Sequence, residues 1–261
     1  MTQLPTFVCA ESFSTGQTVT LGEDAAHHIR VRRLERGHRV GLLDGRGTRG
    51  AGVLVRVAKR HAAVQVAEVS VSEAPAPVHL LLPIADRERM LWLAEKATEL
   101  GVTSWRPVLW KRSRSVVPRG EGPTFQQKVA ARMNGALEQS GGTWLPMLFP
   151  DATLDRAVSA APPGVRLVLD AAAEPILTVM RAGVAAAGAS DGAPPAVTIA
   201  VGPEGGFEES EIEELVQGGF VRAALGDRIL RFETAAVAAV AVVRAALDSM
   251  RDPSPTRGEL S

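Results

Sequence analysis

Two segments in the C-terminal part of the chain decide its fold: Val201–Phe207, with the sequence VGPEGGF, and Leu225–Ala236, with the sequence LGDRILRFETAA. Each follows a short apolar run that predicts a β-strand, Pro195–Val201 and Phe220–Leu225, and each precedes a helix-like pattern. Loops that follow the strands of an open α/β sheet lie at the edge where such sheets bind ligands. A GPEGG segment alone is most often a tight turn, so the pair together predicts a ligand site.

Composition limits the class of protein. The chain has 261 residues, of which 46% are hydrophobic, and 29 basic side chains balance 29 acidic ones, as in soluble globular proteins. One cysteine, Cys9, excludes an internal disulfide and favours a reducing, cytoplasmic compartment. The Ala/Val run Ala235–Leu247 is too short for a membrane span, and no signal peptide is evident. No His/Asp/Glu cluster has metal-ligand spacing, so we expect neither a membrane nor a metal.

The N-terminal part, residues 1–72, predicts a small β-barrel with one short helix. Arg39–Asp44 and Ala51–Val57 are strand-like, His61–Val71 alternates as a half-buried strand does, and Asp24–Leu34 has the pattern of a helix. This part carries ten Lys/Arg against six Asp/Glu, and clustered arginines suit a polyanion as well as an ordinary solvated face. Two prolines in Glu73–Pro77 then predict an extended linker.

From residue 78 the pattern changes to alternating strands and helices. The predicted strands are Val78–Ile84, Trp105–Trp110 and Val165–Asp170, and the predicted helices are Asp86–Leu100, Thr124–Gln139 and Pro175–Ala187. We therefore predict domains at residues 1–72 and 78–249, a linker at 73–77 and a disordered tail at 250–261.

Five stretches, the opening pair and three others, resemble the RsmE family of SPOUT (trefoil-knotted) RNA methyltransferases. His27–Arg33 resembles the family's HH-x-x-x-VLR helix, although Arg32 stands where a leucine is common. Lys96–Val102 matches K-x-x-E-L-G-V, and Glu138–Gly142 resembles E-Q-S/C-G-R with Gly142 in place of the usual arginine. The family methylates N3 of a uridine in 16S ribosomal RNA.

The resemblance implies an α/β fold class with an N-terminal PUA-like β-barrel and a C-terminal α/β-knot (SPOUT) methyltransferase domain. It also implies S-adenosyl-L-methionine (SAM) as the methyl donor, a homodimer, and 16S rRNA within the small ribosomal subunit as the substrate. The periodicity of the sequence carries no sign of a knot, and general topology rules make knots rare.

The resemblance assigns roles to particular residues. Arg231 is expected to stabilise the charge that develops on the uracil, and Glu233 to act as the base or to orient Arg231. An acidic residue in the first turn of a helix is also favourable without any catalysis. The expected cofactor-binding residues are Leu169, Gly202, Glu204, Gly205, Gly206, Leu225, Gly226, Ile229 and Leu230. The expected RNA-binding residues are His28, Arg30, Arg32, Arg33, Arg112, Arg114 and Arg228.

Three other functions compete with this interpretation. A related SPOUT enzyme would methylate a ribose 2′-OH, and a non-enzymatic RNA-binding protein would keep the basic N-terminal part without needing the two loops. A Rossmann enzyme is disfavoured because no G-x-G-x-x-G follows the strand Val78–Ile84.

Overall fold

The computed structural model describes residues 4–113, 123–187 and 194–250, which divide into two compact units. The first unit holds the described residues up to Pro75 together with Gln126–Leu145. The second holds those of Ala76–Phe125 and Pro146–Ser261. The predicted domain boundaries at residues 72 and 78 stay predictions. The expected RNA-binding residue Arg114 and positions 251–261 of the predicted tail lie outside the described residues.

The first unit is built on a five-stranded sheet. Its strands are β1 (Thr6–Val8), β2 (Thr18–Leu21), β3 (Arg39–Leu43), β4 (Thr48–Val57) and β5 (Ala62–Val71). They lie in the order β1-β3-β4-β5-β2, in which β1 and β3 are parallel and the other pairs antiparallel. The three predicted strands correspond to β3, β4 and β5. The sequence did not predict β1 and β2, since three or four residues are too few to establish an alternating pattern.

Helix α1 (Glu23–Val31) packs on this sheet through Ile29, which is fully buried among Leu42, Leu54 and their neighbours. Its acidic first turn complements the partial positive charge of the helix N-terminus. The helix ends with Arg33 in the left-handed region at φ 56°. There the Leu34 N–H donates to the Ile29 carbonyl at 2.9 Å.

Helix α3 (Pro123–Ser140) and the residues after it contribute Gln126–Leu145 to the first unit. The Val8 N–H donates to Glu138 Oε1 at 3.0 Å, and the Leu145 N–H donates to the Gly45 carbonyl at 2.9 Å. The sequence predicted a helix here, over Thr124–Gln139. It could not predict that the helix packs beside β1, because periodicity shows that a face is buried and not against what.

The second unit contains a six-stranded parallel sheet. Its strands are β6 (Val78–Pro83), β7 (Ser104–Val108), β8 (Met147–Leu148), β9 (Gly164–Leu169), β10 (Ala196–Ala200) and β11 (Val221–Ala223). Their order is β11-β9-β10-β6-β7-β8, and each neighbouring pair is parallel. The central strands read as nearly continuous apolar runs because both faces of the sheet are covered.

Helices cover the two faces of this sheet. They are α2 (Arg87–Glu99), α4 (Leu154–Ser159), α5 (Ile176–Ala187), α6 (Glu209–Gln217) and α7 (Phe232–Met250). Helix α7 packs on α2, α5, β6 and β10, whereas α4 and α6 contribute Leu154 and Leu215 to a core with Trp110 and Phe220. The prediction of an α/β domain is confirmed.

Helix α7 is apolar along most of its length, yet it carries Arg244, which is only 9% exposed. The guanidinium donates to the backbone carbonyls of Leu100, Gly101 and Ala76, so the buried charge is satisfied by hydrogen bonds. Across residues 4–113, 123–187 and 194–250, no helix is long and apolar enough to cross a membrane.

Candidate functional site

The order of three strands in the sheet sets the position of the site. Strands β11, β9 and β10 are neighbours and run parallel, so their carboxyl ends meet at one edge of the sheet. The loop Val201–Glu208 leaves β10 towards α6, and the loop Ala224–Arg231 leaves β11 towards α7. Leu169 and Asp170 lie at the end of β9, between them. The two loops that the sequence singled out are therefore adjacent in space.

A cavity of about 390 Å³ lies between these loops. Its wall includes every residue that the sequence assigned to the cofactor, namely Leu169, Gly202, Glu204, Gly205, Gly206, Leu225, Gly226, Ile229 and Leu230. Asp170, Phe207 and Arg228 also line it. The volume falls in the usual range for small-molecule sites, roughly 300–1,000 Å³. The fold thus brings together nine expected cofactor residues that span 61 positions of the chain, from Leu169 to Leu230.

Glycines let the first loop fold tightly against the cavity. A Cβ on Gly202 would lie 2.9 Å from the Phe207 ring, which itself packs edge-on against Trp110 with 4.9 Å between the ring centroids. Gly206 adopts a left-handed φ of 72°, which side-chain-bearing residues rarely adopt. Gly202 therefore lets the loop pack closely on the Phe207 ring, and Gly206 lets the loop turn within the cavity wall.

Arg112, expected to bind RNA, lies against the same loop. Its Nη1 donates to the Gly205 carbonyl at 3.2 Å, and its Nε lies 3.6 Å from Glu208 Oε1. The neighbouring Lys111 N–H donates to Oε1 of Glu211, a carboxylate that is almost fully buried, at 2.7 Å. Lys111 and Arg112 therefore brace the loop and the start of α6, a role that a count of charges could not show.

Arg89, in the first turn of α2, is the functional candidate that the sequence missed. Its Nη1 donates to Glu204 Oε1 in the first loop, and its Nε lies 3.8 Å from Glu233 Oε1 at the start of α7. The hydrogen bond that Arg89 donates to Glu204 is the main cause that raises the pKa of Arg89. Arg89 lies near the first loop because β6, which precedes α2, is the neighbour of β10 in the sheet. The sequence alone does not show this strand order, so it gave no signal for Arg89.

The two expected catalytic residues have different surroundings. Arg231 is exposed, and its carbonyl accepts from the Ala235 N–H at 2.8 Å. The Glu233 side chain is 12% exposed, and its Oε2 has no hydrogen-bond partner within the described residues. In that same part of the chain no hydrogen bond or ion pair joins Glu233 to Arg231. The carboxylate of Glu233 instead faces Arg89.

Comparison with known proteins decides the family. Residues 72–244 match the model of the RNA methyltransferase domain, and residues 21–67 match that of the RNA methyltransferase PUA domain. The ribosomal RNA small subunit methyltransferase E of Synechocystis sp. is 31% identical over 238 residues, which cover 89% of this chain and 74% of that protein. The chain belongs to the ribosomal RNA small subunit methyltransferase E family.

Two further relatives support the assignment to the methyltransferase E family. The protein of that name from Mycobacterium tuberculosis is 28% identical, over 85% of this chain and 84% of its own length. The crystal structure of the Neisseria gonorrhoeae protein, bound to S-adenosyl methionine, is 29% identical and superposes with a TM-score of 0.81 over 93% of this chain and 98% of that one. The predicted family and the predicted fold class, a PUA-like domain followed by an α/β methyltransferase domain, are both confirmed.

In the PUA-like domain of this methyltransferase E chain, the expected RNA-binding residues fall into two groups. Arg30 and Arg33 border a shallow depression of about 640 Å³, together with Arg36 and Arg56, which the sequence did not single out. The remaining lining residues are Leu34, Glu35, Val55 and Val57.

His28 and Arg32 form the second group, because their charges act on Glu138 of α3. Burial raises the pKa of Glu138, while the Val8 N–H and then these two basic groups oppose the rise. Arg228, expected in the same role, lies instead in the cavity wall of the other unit. Among the described residues of this family member, no group of three or more His, Cys, Asp or Glu could hold a metal ion.

Proposed function

We propose that this chain is a SAM-dependent methyltransferase that transfers a methyl group to N3 of a uridine in 16S rRNA of the small ribosomal subunit. The observation that carries the proposal is the cavity at the ends of β9, β10 and β11, whose wall contains all nine expected cofactor residues. The relatives' names support ribosomal RNA of the small subunit as the substrate. The choice of uridine N3 rests on the resemblance of the two loops to the family pattern.

The residues of the cavity fit SAM. Its glycine-rich wall lets a ligand approach the backbone closely, as binding of the adenine and the methionine portion through backbone groups requires. The carboxylates of Glu204 and Asp170 provide negative charge for a cationic sulfonium or for ribose hydroxyls. The bound SAM of the Neisseria gonorrhoeae relative supports the same ligand class.

The chain's own residues must orient the acceptor and remove a proton. When bound, SAM supplies a methyl group whose bond to sulfur breaks as a bond to uracil N3 forms. Glu233 accepts the N3 proton, a role supported by its buried Oε2 without a partner. Arg231 donates to a uracil carbonyl oxygen and stabilises the negative charge that develops there. Low exposure of Glu233 keeps water from competing for its carboxylate.

Substitution of Arg231 by lysine tests this division of roles. Arg231→Lys keeps the charge and loses the planar fork, so the single-turnover methylation rate should fall steeply, by about 10²-fold. The dissociation constant for SAM should change far less, because the expected cofactor contacts remain. Rapid-quench methylation assays and calorimetry measure the two quantities. A methylation rate within threefold of wild type would remove Arg231 from the chemistry.

The four arginines around the depression of the PUA-like domain are proposed to bind RNA phosphates. Arg33→Gln should weaken RNA binding and reduce the slope of log K against log salt by about one, because one phosphate contact fewer releases fewer counterions. Arg32→Gln, whose charge acts on Glu138, is the matched substitution and should change the slope less. Filter binding at several salt concentrations makes the comparison, and equal slopes for the two variants would reject the depression as the phosphate site.

We further propose a homodimer, a trefoil knot in the second domain and a cytoplasmic location, all supported by the family resemblance. Light scattering on the purified chain tests the dimer. Mass mapping of the 16S rRNA from a deletion strain, with and without the gene supplied again, tests the reaction. The expected product is a methyl group on a uracil base that returns with the gene. A methyl group on a ribose would indicate the 2′-O reaction, and no mass difference would indicate a binding protein.

A further inference from the structure

One guanidinium pairs with a carboxylate of the first loop and with a carboxylate at the start of α7. Arg89 donates through Nη1 to Glu204 in the first loop, and its Nε lies 3.8 Å from Glu233 Oε1 beyond the second loop. The backbone of Arg89 is itself held by the N-cap of α2, since its N–H points to Asp86 Oδ1 at 3.4 Å. The helix therefore presents Arg89 from a fixed position between the two loops.

The two carboxylates depend on Arg89 to different degrees. The Glu233 side chain is 12% exposed and its second oxygen has no hydrogen bond within the described chain, so Arg89 is the cation that offsets its burial. The Glu204 side chain is 51% exposed and lines the cavity. Water screens the charge of Glu204, so the electrostatic gain from Arg89 is small. The hydrogen bond from Arg89 instead restricts the direction in which the Glu204 carboxylate points.

Arginine suits this position for a geometric reason. The guanidinium is planar and carries donors on separate nitrogens, so Nη1 and Nε can face two carboxylates at once. A lysine ammonium is a single point charge at the end of a flexible stem and cannot hold both groups in fixed directions. Arg89 is therefore a link between the loop of the cofactor cavity and the start of α7.

We propose that Arg89 is a positioning residue that acts on cofactor affinity through Glu204 and on the rate of methyl transfer through Glu233. The inference rests on the proposed function, since it assumes that the cavity binds SAM and that Glu233 serves the reaction. Arg89 belongs to α2 and lies outside both loops. Its contact with Glu204 is expected to control SAM affinity, and its contact with Glu233 the rate of methyl transfer.

Two double-mutant cycles on the full-length chain test the proposal. The first measures the dissociation constant of SAM by calorimetry for Arg89→Gln, Glu204→Gln and the double variant. Arg89→Gln should weaken binding in the wild-type background, because Glu204 loses the hydrogen bond from Arg89, and change it less than twofold in the Glu204→Gln background. A coupling anywhere between about 2-fold and 150-fold is usual for residues in contact.

The second cycle measures the single-turnover rate constant of methyl transfer for Arg89→Gln, Glu233→Gln and the double variant. The double variant should be no slower than Glu233→Gln alone, because Arg89 acts through that carboxylate. Arg89→Lys should recover part of the lost rate and little of the cofactor affinity. KM for the RNA should stay within twofold of wild type in every variant.

Arg87→Gln is the matched control on the same helix. The Arg87 guanidinium lies over the Phe125 ring at 5.1 Å from its centroid, so its loss should leave both measured quantities unchanged. A merely structural role for Arg89 would lower the melting temperature and give effects that multiply in both cycles. If Arg89→Gln does not fold, Arg89→Lys takes its place in the same cycles.

If the two substitutions of either cycle act independently, so that their fold-changes multiply, the proposal is overturned. That outcome is distinct from a failure of the proposed function. A wild-type chain that neither binds SAM nor methylates RNA rejects the function itself, whereas an active wild type with additive cycles rejects only the role of Arg89.

Discussion

Gly202→Ala is the substitution whose effect follows most directly from the structure of the cavity. The added Cβ would lie 2.9, 3.1 and 3.2 Å from three atoms of the Phe207 ring, closer than normal carbon contacts. The ring cannot retreat freely, because Trp110 packs against it at 85° and is only 3% exposed. Relief of the clash must therefore move Phe207 or the glycine loop, and both line the cavity.

The expected size of the effect comes from the cost of overpacking. One extra methyl group in a well-packed site typically costs about 1–3 kcal/mol. If the loop relaxes into the cavity and SAM must push it back, the same energy appears as a dissociation constant raised by about 5- to 150-fold. The melting temperature should fall by about 2–4 °C for each kcal/mol that remains in the free protein.

Calorimetry with SAM and thermal unfolding measure the two effects, and Gly135→Ala provides the control. Gly135 lies on the exposed side of α3, where an added Cβ meets nothing within 4 Å. Alanine there should raise stability by about 0.5–1 kcal/mol and leave SAM binding unchanged. A folded Gly202→Ala protein that binds SAM within twofold of wild type would refute the reasoning, since the clash would then be relieved away from the cavity.

Two further predictions concern buried ionisable groups of the first unit. Burial raises the pKa of Glu138, so the ionised carboxylate destabilises the fold at neutral pH. Glu138→Gln removes that charge and keeps an acceptor for the Val8 N–H. The free energy of unfolding at pH 7 should therefore rise. Urea titrations should show this gain disappear as the pH falls below the ordinary pKa of 4.5, and a gain that persists at pH 4 would contradict the cause given. Burial likewise raises the pKa of Cys9 from 9.0 to about 12, so the stability from its neutral thiol is complete below pH 9 and is lost as the pH rises towards 12. Cys9→Ala should flatten that decline in unfolding experiments, and an equally steep decline in the variant would assign it to other groups.

The fold class could be predicted because strands and helices leave periodic signals in the sequence. Runs such as Val78–Ile84 and the pattern of Asp86–Leu100 correspond closely to β6 and α2. The short strands β1, β2 and β8 and the six-residue helix α4 were missed, since two to six residues give too few positions for a period to show. The predicted position of α3 was correct, but its packing partner in the first unit could not be predicted.

The sequence by itself determined the longer strands and helices and the two loops, because strand period, glycine content and turn chemistry are local properties of neighbouring residues. Tertiary structure alone decided the strand order that brings Leu169, the first loop and the second loop around one cavity. It also decided the pairing of Arg89 with Glu204, which lie 115 residues apart. No local pattern encodes such a contact, because the partners meet only after hydrophobic burial has fixed the order of the strands.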